Sequence, residues 1–205
     1  MKKRIVFVTN NAHKIQEVTA LLAAYGSDVA ERYEILSLAD IGCMADIPET
    51  SQTFYGNALQ KAEYIKVRYG YDCFADDSGL EVRALGMEPG VMSARYAADE
   101  GFDHDANANN DKLLRNMNHV KDRSAQFRTV VVLLMGSATY EFEGICRGSI
   151  TTEEHSNRQG FGYDPIFQPE GYEQTFAEMS LEDKNAISHR GKAIRALVKF
   201  LKDSE

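Results

Sequence analysis

The sequence predicts an α/β fold, a single domain over residues 1–205 in which strands and helices alternate. Three observations predict it. A short apolar run of strand length is followed at once by residues that cap helices. Apolar residues then recur at helical spacing until a glycine stops them. Further on, one long β-branched stretch folds back on itself across Gly136-Ser137. The 205 residues are 43% hydrophobic and 26% charged, the balance of a globular chain. Their number suits one compact domain or two lobes sharing a core.

The elements follow in order. Ile5 to Val8 fits a buried strand, and Thr9, Asn10 and Asn11 supply capping side chains. Ile15, Val18, Leu22 and Tyr25 keep helical spacing up to Gly26. Phe54, Ala58, Ala62, Ile65 and Tyr69 form the stripe of a second helix, with Gly70 just beyond. Cys73-Phe74-Ala75 reads as a short buried strand that delivers Asp76, Asp77 and Ser78 at its end. Gly86 to Gly90 reads as loop, and the polar, Asn-rich Asp103–Asp111 as loop leading into a helix with Leu113, Leu114 and Met117. Ala125–Met135 and Thr139–Ile145 form a hairpin. Gly160-Phe161-Gly162-Tyr163-Asp164-Pro165 is a loop rich in aromatics. Ser180 and Asp183 have capping-box spacing, and Ser188 can cap a last helix striped by Ile194, Leu197, Val198 and Leu201.

Composition narrows the partners. The longest apolar run, Val130–Met135, spans six residues, against roughly 20 for a membrane helix. The run Ile5–Val8 is too short for a signal-peptide core, so a cytoplasmic location is expected and a membrane partner is not. With 23 basic and 31 acidic residues the net charge is −8, which argues against a grip on nucleic acid. Cys43, Cys73 and Cys146 are an odd number with no CxxC pair, so neither a disulfide framework nor a Cys-built zinc site is expected. Buried, reduced thiols are.

Three segments carry candidate chemistry. A strand feeding Thr9-Asn10-Asn11-Ala12-His13-Lys14 into a helix puts open backbone N–H groups and the positive dipole end where an anion can sit. Lys14 adds a charge one turn in, although plain helix capping already accounts for one of these residues. There is no GxxxxGK[ST] loop, and Gly160-Phe161-Gly162 lacks the third glycine of a dinucleotide fingerprint. Asp76 and Asp77, consecutive on a strand, should point to opposite faces. Asp77 beside Ser78-Gly79 could hold a magnesium ion, with Glu49 as second ligand; read alone, Asp-Asp-Ser-Gly is good turn chemistry, and on the residues alone the turn is the better reading. In the third segment, Phe161 and Tyr163 could stack on a base and Asp164 could accept from ring N–H groups. Lys184 and Arg190 could meet phosphate or a carbonyl oxygen, although an Arg on a final helix is usually just solvated and His189, next to a helix start, is more often a cap than a catalyst.

Together these stretches resemble the inosine triphosphate pyrophosphatase family. The resemblance rests on Ile5–Lys14, Pro48–Ala62, Ala-Asp-Asp-Ser-Gly-Leu at 75–80, Pro89-Gly90 with Ser93–Tyr96, Gly-Phe-Gly-Tyr-Asp-Pro at 160–165 and Ile-Ser-His-Arg-Gly at 187–191, in the family's order. It implies an elongated α/β fold with a long mixed β-sheet flanked by helices, two lobes, a central substrate cleft and a homodimer. The implied reaction is magnesium-dependent hydrolysis of ITP, dITP and XTP to monophosphate and pyrophosphate. By position, Thr9, Asn10, Asn11, Ala12, His13, Lys14 and Lys61 would bind the triphosphate. Asp77 would be proton acceptor and metal ligand, with Glu49 beside the metal. Ser78, Phe161, Gly162, Tyr163, Asp164, Lys184, His189 and Arg190 would complete substrate binding. The family commonly has Gly where Asn10 stands, and Asn tolerates the positive φ that would imply. Many members carry Glu where Gly56 stands, which leaves open a catalytically dead nucleotide sensor. The Maf-like pyrophosphatases share the general architecture, but the Phe-Gly-Tyr-Asp and Ser-His-Arg segments weigh against them.

Overall fold

The computed structural model describes residues 2–155 and 161–204. Gly160, first residue of the aromatic loop, lies outside them. Strands and helices alternate as the sequence predicts: β1 (Lys3–Phe7), α1 (Ala12–Tyr25), α2 (Ser27–Arg32), β2 (Tyr33–Leu36), α3 (Phe54–Tyr69) and β3 (Asp72–Val82) come first. They are followed by β4 (Glu88–Pro89), α4 (Ala106–Asn116), β5 (Ser124–Met135), β6 (Ala138–Ile150), β7 (Phe167–Pro169), α5 (Leu181–Ile187) and α6 (His189–Asp203). Hydrogen-bonded neighbours run β2-β1-β3-β5-β6-β7, with β4 on β3. The pairing is mixed. β1 is parallel to β2 and β3, whereas β4 on β3 and β7 on β6 are antiparallel.

The chain divides into two compact units. The first comprises Met1–Asp77, Thr129–Gly144 and Arg190–Glu205. Its core joins Ile5 and Phe7 of β1, Val18 and Leu21 of α1, Phe74 of β3, Val131 and Leu133 of β5, and Ala193, Ile194, Leu197, Val198 and Leu201 of α6. Phe7 and Phe74 are register partners, and their rings stack with centroids 4.7 Å apart. The second unit comprises Ser78–Arg128 and Ile145–His189. Its core gathers Leu80 and Val82 of β3, Leu113 and Met117 of α4, Phe127 of β5, Ile150 of β6, and Tyr163, Ile166, Phe167 and Phe176. Gly148 is needed where β7 crosses close to β6, because a Cβ there would lie 2.2 Å from the Gln168 carbonyl oxygen. The three cysteines are free and buried. Among the described residues no helix is long and apolar enough to cross a membrane.

Several expected elements shift. The α1 stripe is rotated: Ile15 and Tyr25 are 38% and 41% exposed, and the buried face is Glu17, Val18 and Leu21. Gly26 caps α1 and opens α2 directly, so α2 and β2 occupy a stretch the sequence reading left unassigned. Helix α4 starts at Ala106, capped by Asp105, inside the segment read as loop. The largest change is β3. It runs eleven residues, so Asp76-Asp77-Ser78-Gly79 is neither a turn nor a strand end but mid-strand. Neighbours explain why. β1 supports the first part of β3, up to the Phe7–Phe74 pair, and β4 pairs with its last two residues. Between them the Ser93 hydroxyl accepts from the Leu80 amide at 2.9 Å. β5, the hydrogen-bonded neighbour of β3 on the side away from β1, lets the apparent turn sequence continue as strand.

Candidate active site

The first unit builds one polar cluster where β1 ends and β3 continues. The Val8 amide donates to the Phe74 carbonyl at 2.8 Å, and beyond that bond the chain leaves the sheet. Thr9 Oγ1 then accepts from the Asn11 amide at 3.1 Å. Asn11 caps α1, its Oδ1 accepting from the amides of His13 (3.0 Å) and Lys14 (3.2 Å). Asn10, Ala12 and His13 are exposed. Asn10 is not among the residues with positive φ, so a Gly-like backbone is not what this turn requires.

Lys14, one turn into α1, reaches β3. Its Nζ donates to Asp76 Oδ2 at 3.0 Å and to the Asp76 carbonyl at 3.2 Å. Lys61 of α3 donates to the same carbonyl at 2.8 Å and pairs with Glu49. Arg190 of α6 donates from Nε to Asp76 Oδ2 at 3.3 Å and from Nη1 to Glu17. Asp76 is fully buried, which by itself would raise its carboxyl, but Lys14, Arg190 and Lys61 overcome that and hold it well below the usual carboxylate range. Its neighbour has the opposite fate. Asp77, 7% exposed, has its carboxyl pushed up by burial and by Glu49, against the pull of Lys61, Lys14 and the Asn57 amide. Burial lowers the Lys14 ammonium in turn.

Asn57 ties the cluster to the loop that carries Glu49. Its Nδ2 donates to Asp77 Oδ2 at 2.9 Å, and its Oδ1 accepts from the Ser51 amide at 2.8 Å. Gln60 Oε1 accepts from the Thr50 amide at 3.0 Å, a second tether from α3. Position 56 is the third residue of a helix capped by Thr53, whose Oγ1 accepts from the Gly56 amide at 3.0 Å. A Glu at that place is a capping-box residue. Here the space is filled, since a Cβ on Gly56 would meet Ser51 Oγ at 2.0 Å.

The second unit holds a separate group of residues. Asp164 Oδ2 accepts from the Phe161 amide at 3.0 Å and from Lys184 Nζ at 2.8 Å. Lys184 Nζ also lies 5.6 Å over the Phe176 ring. The His189 imidazole stacks on Phe127 with centroids 4.6 Å apart and planes within 10°. Tyr163 is packed in the core and its hydroxyl donates to the Ser93 carbonyl at 2.8 Å, so Phe161 is the more exposed aromatic of the loop. Ser78 sits half-buried in β3. The first unit therefore brings together Lys14, Glu49, Lys61, Asp77 and Arg190, and the second brings together Phe161, Gly162, Tyr163, Asp164 and Lys184. His189 and Arg190, adjacent in the chain, are divided between the two units.

Sequence reasoning missed three contributors: Asn57, Glu17 and the counter-ion role of Asp76. A signal existed for two of them. Glu17 stands beside Val18 on the buried face of α1, and Asn57 lies one helical turn before Lys61 on α3. A charged or amide side chain on a buried helix face needs a partner. Among the described residues no group of three or more His, Cys, Asp and Glu is placed to hold a metal.

The Ham1 family model matches residues 5–200. The chain belongs to the Ham1 family. It is 52% identical to the dITP/XTP pyrophosphatase of Flavobacterium psychrophilum over 98% of its own length and all of the relative's. To the dITP/XTP pyrophosphatase of Porphyromonas gingivalis it is 48% identical, over 97% of both chains. Among solved structures it resembles the Ham1 protein of Staphylococcus aureus, with 36% identity and a TM-score of 0.85, covering 99% of this chain and 100% of that one. The nucleoside-triphosphatase / dITP/XTP pyrophosphatase of Mycobacterium abscessus follows with 38% identity and a TM-score of 0.74, covering 95% and 98%. Coverage this complete carries the Ham1 fold, a mixed sheet with helices packed on it, to the whole described chain.

Proposed function

We propose that this Ham1 chain is a magnesium-dependent nucleoside triphosphate pyrophosphatase acting on the non-standard purine nucleotides ITP, dITP and XTP. Water attacks, the bond between the α- and β-phosphates breaks, and monophosphate and pyrophosphate leave. One observation carries the reading: a buried carboxylate, Asp77 of β3, is held beside Glu49, Lys61 and Lys14, the last of these one turn into the helix that Asn11 caps. The two relatives at 48–52% identity, both named dITP/XTP pyrophosphatase, point the same way.

The donor set fits a divalent cation. Lys14, Lys61 and Arg190 are three cations against the four carboxyls Glu17, Glu49, Asp76 and Asp77, so positive charge is what the cluster lacks. Magnesium takes one or two carboxylates and completes its shell from phosphate oxygens and water. Asp77 and Glu49 would hold it, and when bound it supplies charge neutralisation to the phosphates. The chain's own groups do the rest. The turn at Thr9–Lys14 and the ammonium groups of Lys14 and Lys61 bind the polyanion, and Asp77, oriented by Asn57, takes the proton of the attacking water. Arg190 holds Asp76 and Glu17 in place.

The purine is assigned to the second unit. Phe161 stacks on the ring, while Lys184 and His189 offer donors to the 6-carbonyl oxygen of hypoxanthine or xanthine. Adenine would present an amino group to those donors and leave them unpaired, which is how a site rejects a near-isostere strongly. Family resemblance also supports a cytoplasmic homodimer.

Pyrophosphate release measured across ITP, dITP, XTP, ATP, GTP and UTP tests the reading. The expected result is strong preference for the 6-carbonyl, non-standard purines, with turnover of Asp77→Asn lower by roughly 10²–10⁴ and its circular dichroism unchanged. Preference for UTP, or full activity in a folded Asp77→Asn variant, would overturn it.

A further inference from the structure

Helix α4 carries two consecutive buried asparagines, and each is spent on a loop rather than on its own helix. Asn109 Nδ2 donates to the carbonyls of Ser93 (3.3 Å) and Ala94 (3.1 Å), and its Oδ1 accepts from the Ala97 amide at 2.8 Å. Asn110 Nδ2 donates to the Gly162 carbonyl at 3.1 Å. Tyr163 closes the triangle with its bond to the Ser93 carbonyl, and Ser93 Oγ accepts from the Leu80 amide of β3. All of these ties lie within the second unit.

Asn110 is costly where it stands. It is 1% exposed, and its Oδ1 accepts no hydrogen bond from the described residues. A leucine of similar size would fill the space without leaving a dry acceptor. The amide's contribution is therefore its donor, and that donor grips a single backbone atom. Gly162 is left-handed, with φ +61°, a backbone conformation that glycine adopts without strain. On either side of it stand Phe161 and Asp164, coupled because Asp164 Oδ2 accepts from the Phe161 amide as well as from Lys184. Rotation at Gly162 would displace the ring, the carboxylate and the lysine contact together.

We propose that Asn110 is a positioning residue for purine selection: its amide fixes the Gly162 turn and so sets where Phe161, Asp164 and Lys184 meet the base. The proposal rests on reading this loop as the nucleobase loop. It places a selectivity determinant on a helix that contributes none of the expected binding residues. Removing the donor should loosen base recognition while leaving the phosphate chemistry of the first unit intact, which separates KM from kcat.

Steady-state kinetics of Asn110→Leu and Asn110→Asp with ITP and ATP test it, with exposed Asn107→Ala on the same helix as control. Both variants should raise KM for ITP and lower the ITP-to-ATP ratio of kcat/KM by roughly five- to tenfold, the worth of one buried hydrogen bond. Their kcat should stay within about threefold, and amide exchange at 161–164 should quicken while the rest of the unit keeps its protection. An unchanged ratio in folded variants would overturn the proposal. Equal losses on every triphosphate, or failure of both variants to fold, would assign Asn110 to the core alone and overturn it too. A wild-type protein that releases no pyrophosphate from ITP would instead sink the reading beneath it.

Discussion

Asn57 offers a sharp test, because one side chain bridges Asp77, the carboxylate proposed to react, and the loop that carries Glu49. Asn57→Ala removes two bonds at once: the 2.9 Å donation to Asp77 Oδ2 and the 2.8 Å acceptance from the Ser51 amide. A hydrogen bond to a charged group is worth about 1.5–3 kcal/mol and a neutral one about 0.5–1.5 kcal/mol. If both serve to hold Asp77 and Glu49 for the transition state, the loss is about 2–4.5 kcal/mol. At 1.36 kcal/mol per decade, kcat/KM for ITP should fall by roughly thirty- to two-thousandfold. Asn57→Asp separates the two bonds. It keeps an acceptor for Ser51 but sets a second carboxylate against Asp77, so it should be at least as inactive as the alanine variant. The assay is coupled pyrophosphate release, run beside thermal unfolding to confirm that each variant is folded. A folded Asn57→Ala enzyme with near wild-type kcat/KM would show that Asp77 does not depend on this orientation, and the proposed geometry of catalysis would fail.

Other perturbations follow from the same contacts. Asp76→Asn strips Lys14 and Arg190 of a buried counter-charge and should cost about 3–5 kcal/mol, read from urea unfolding. Because the folded carboxyl of Asp76 is depressed, its contribution is present above about pH 4, the ordinary Asp range, and is lost as pH falls through the folded value; the wild-type-to-variant gap should narrow accordingly. Gly56→Glu should destabilise by roughly 1–3 kcal/mol, since its Cβ would collide with Ser51 Oγ, and adding Ser51→Gly should recover most of the loss in Tm. Burial pushes the Cys73 thiol up to about 12, so iodoacetamide at about pH 8.5, the ordinary range of a free thiol, should label Cys73 in urea but not in the native protein.

Much of the fold could be read from periodicity. Helix α3 was legible because Phe54, Ala58, Ala62 and Ile65 repeat cleanly and Gly70, at φ +76°, stops it. The β5–β6 hairpin was legible from β-branched content and Gly136. Helix α2 and strand β2 were not, because six helical residues run straight from the cap of α1 and give no stripe of their own. Asn107, Asn109 and Asn110 disguised the start of α4 as loop; two of them are buried because distant backbone needs their amides, a demand invisible in local sequence. Candidate site residues could be named from the sequence, but not their division into two groups. That Arg190 joins Asp76 and Glu17 in the first unit, while His189 stacks on Phe127 in the second, depends on tertiary packing alone.

The pair Asp76-Asp77 shows how the fold turns one dipeptide into two kinds of acid. Strand geometry sends consecutive side chains to opposite faces, so the two carboxyls meet different neighbours although their backbones are joined. One face meets Lys14 and Arg190, which hold Asp76 ionised and make it structural. At Asp77 burial, with Glu49 beside it, outweighs the pull of Lys61, Lys14 and the Asn57 amide, and its carboxyl is pushed up. Environments that drive adjacent titratable groups apart are how acid and base roles become distinguishable. The separation depends on Asp-Asp-Ser-Gly remaining strand. As a turn, both carboxyls would face water and neither would be shifted. The long reach of β3 past the end of β1 is therefore the feature of the fold on which the proposed chemistry stands.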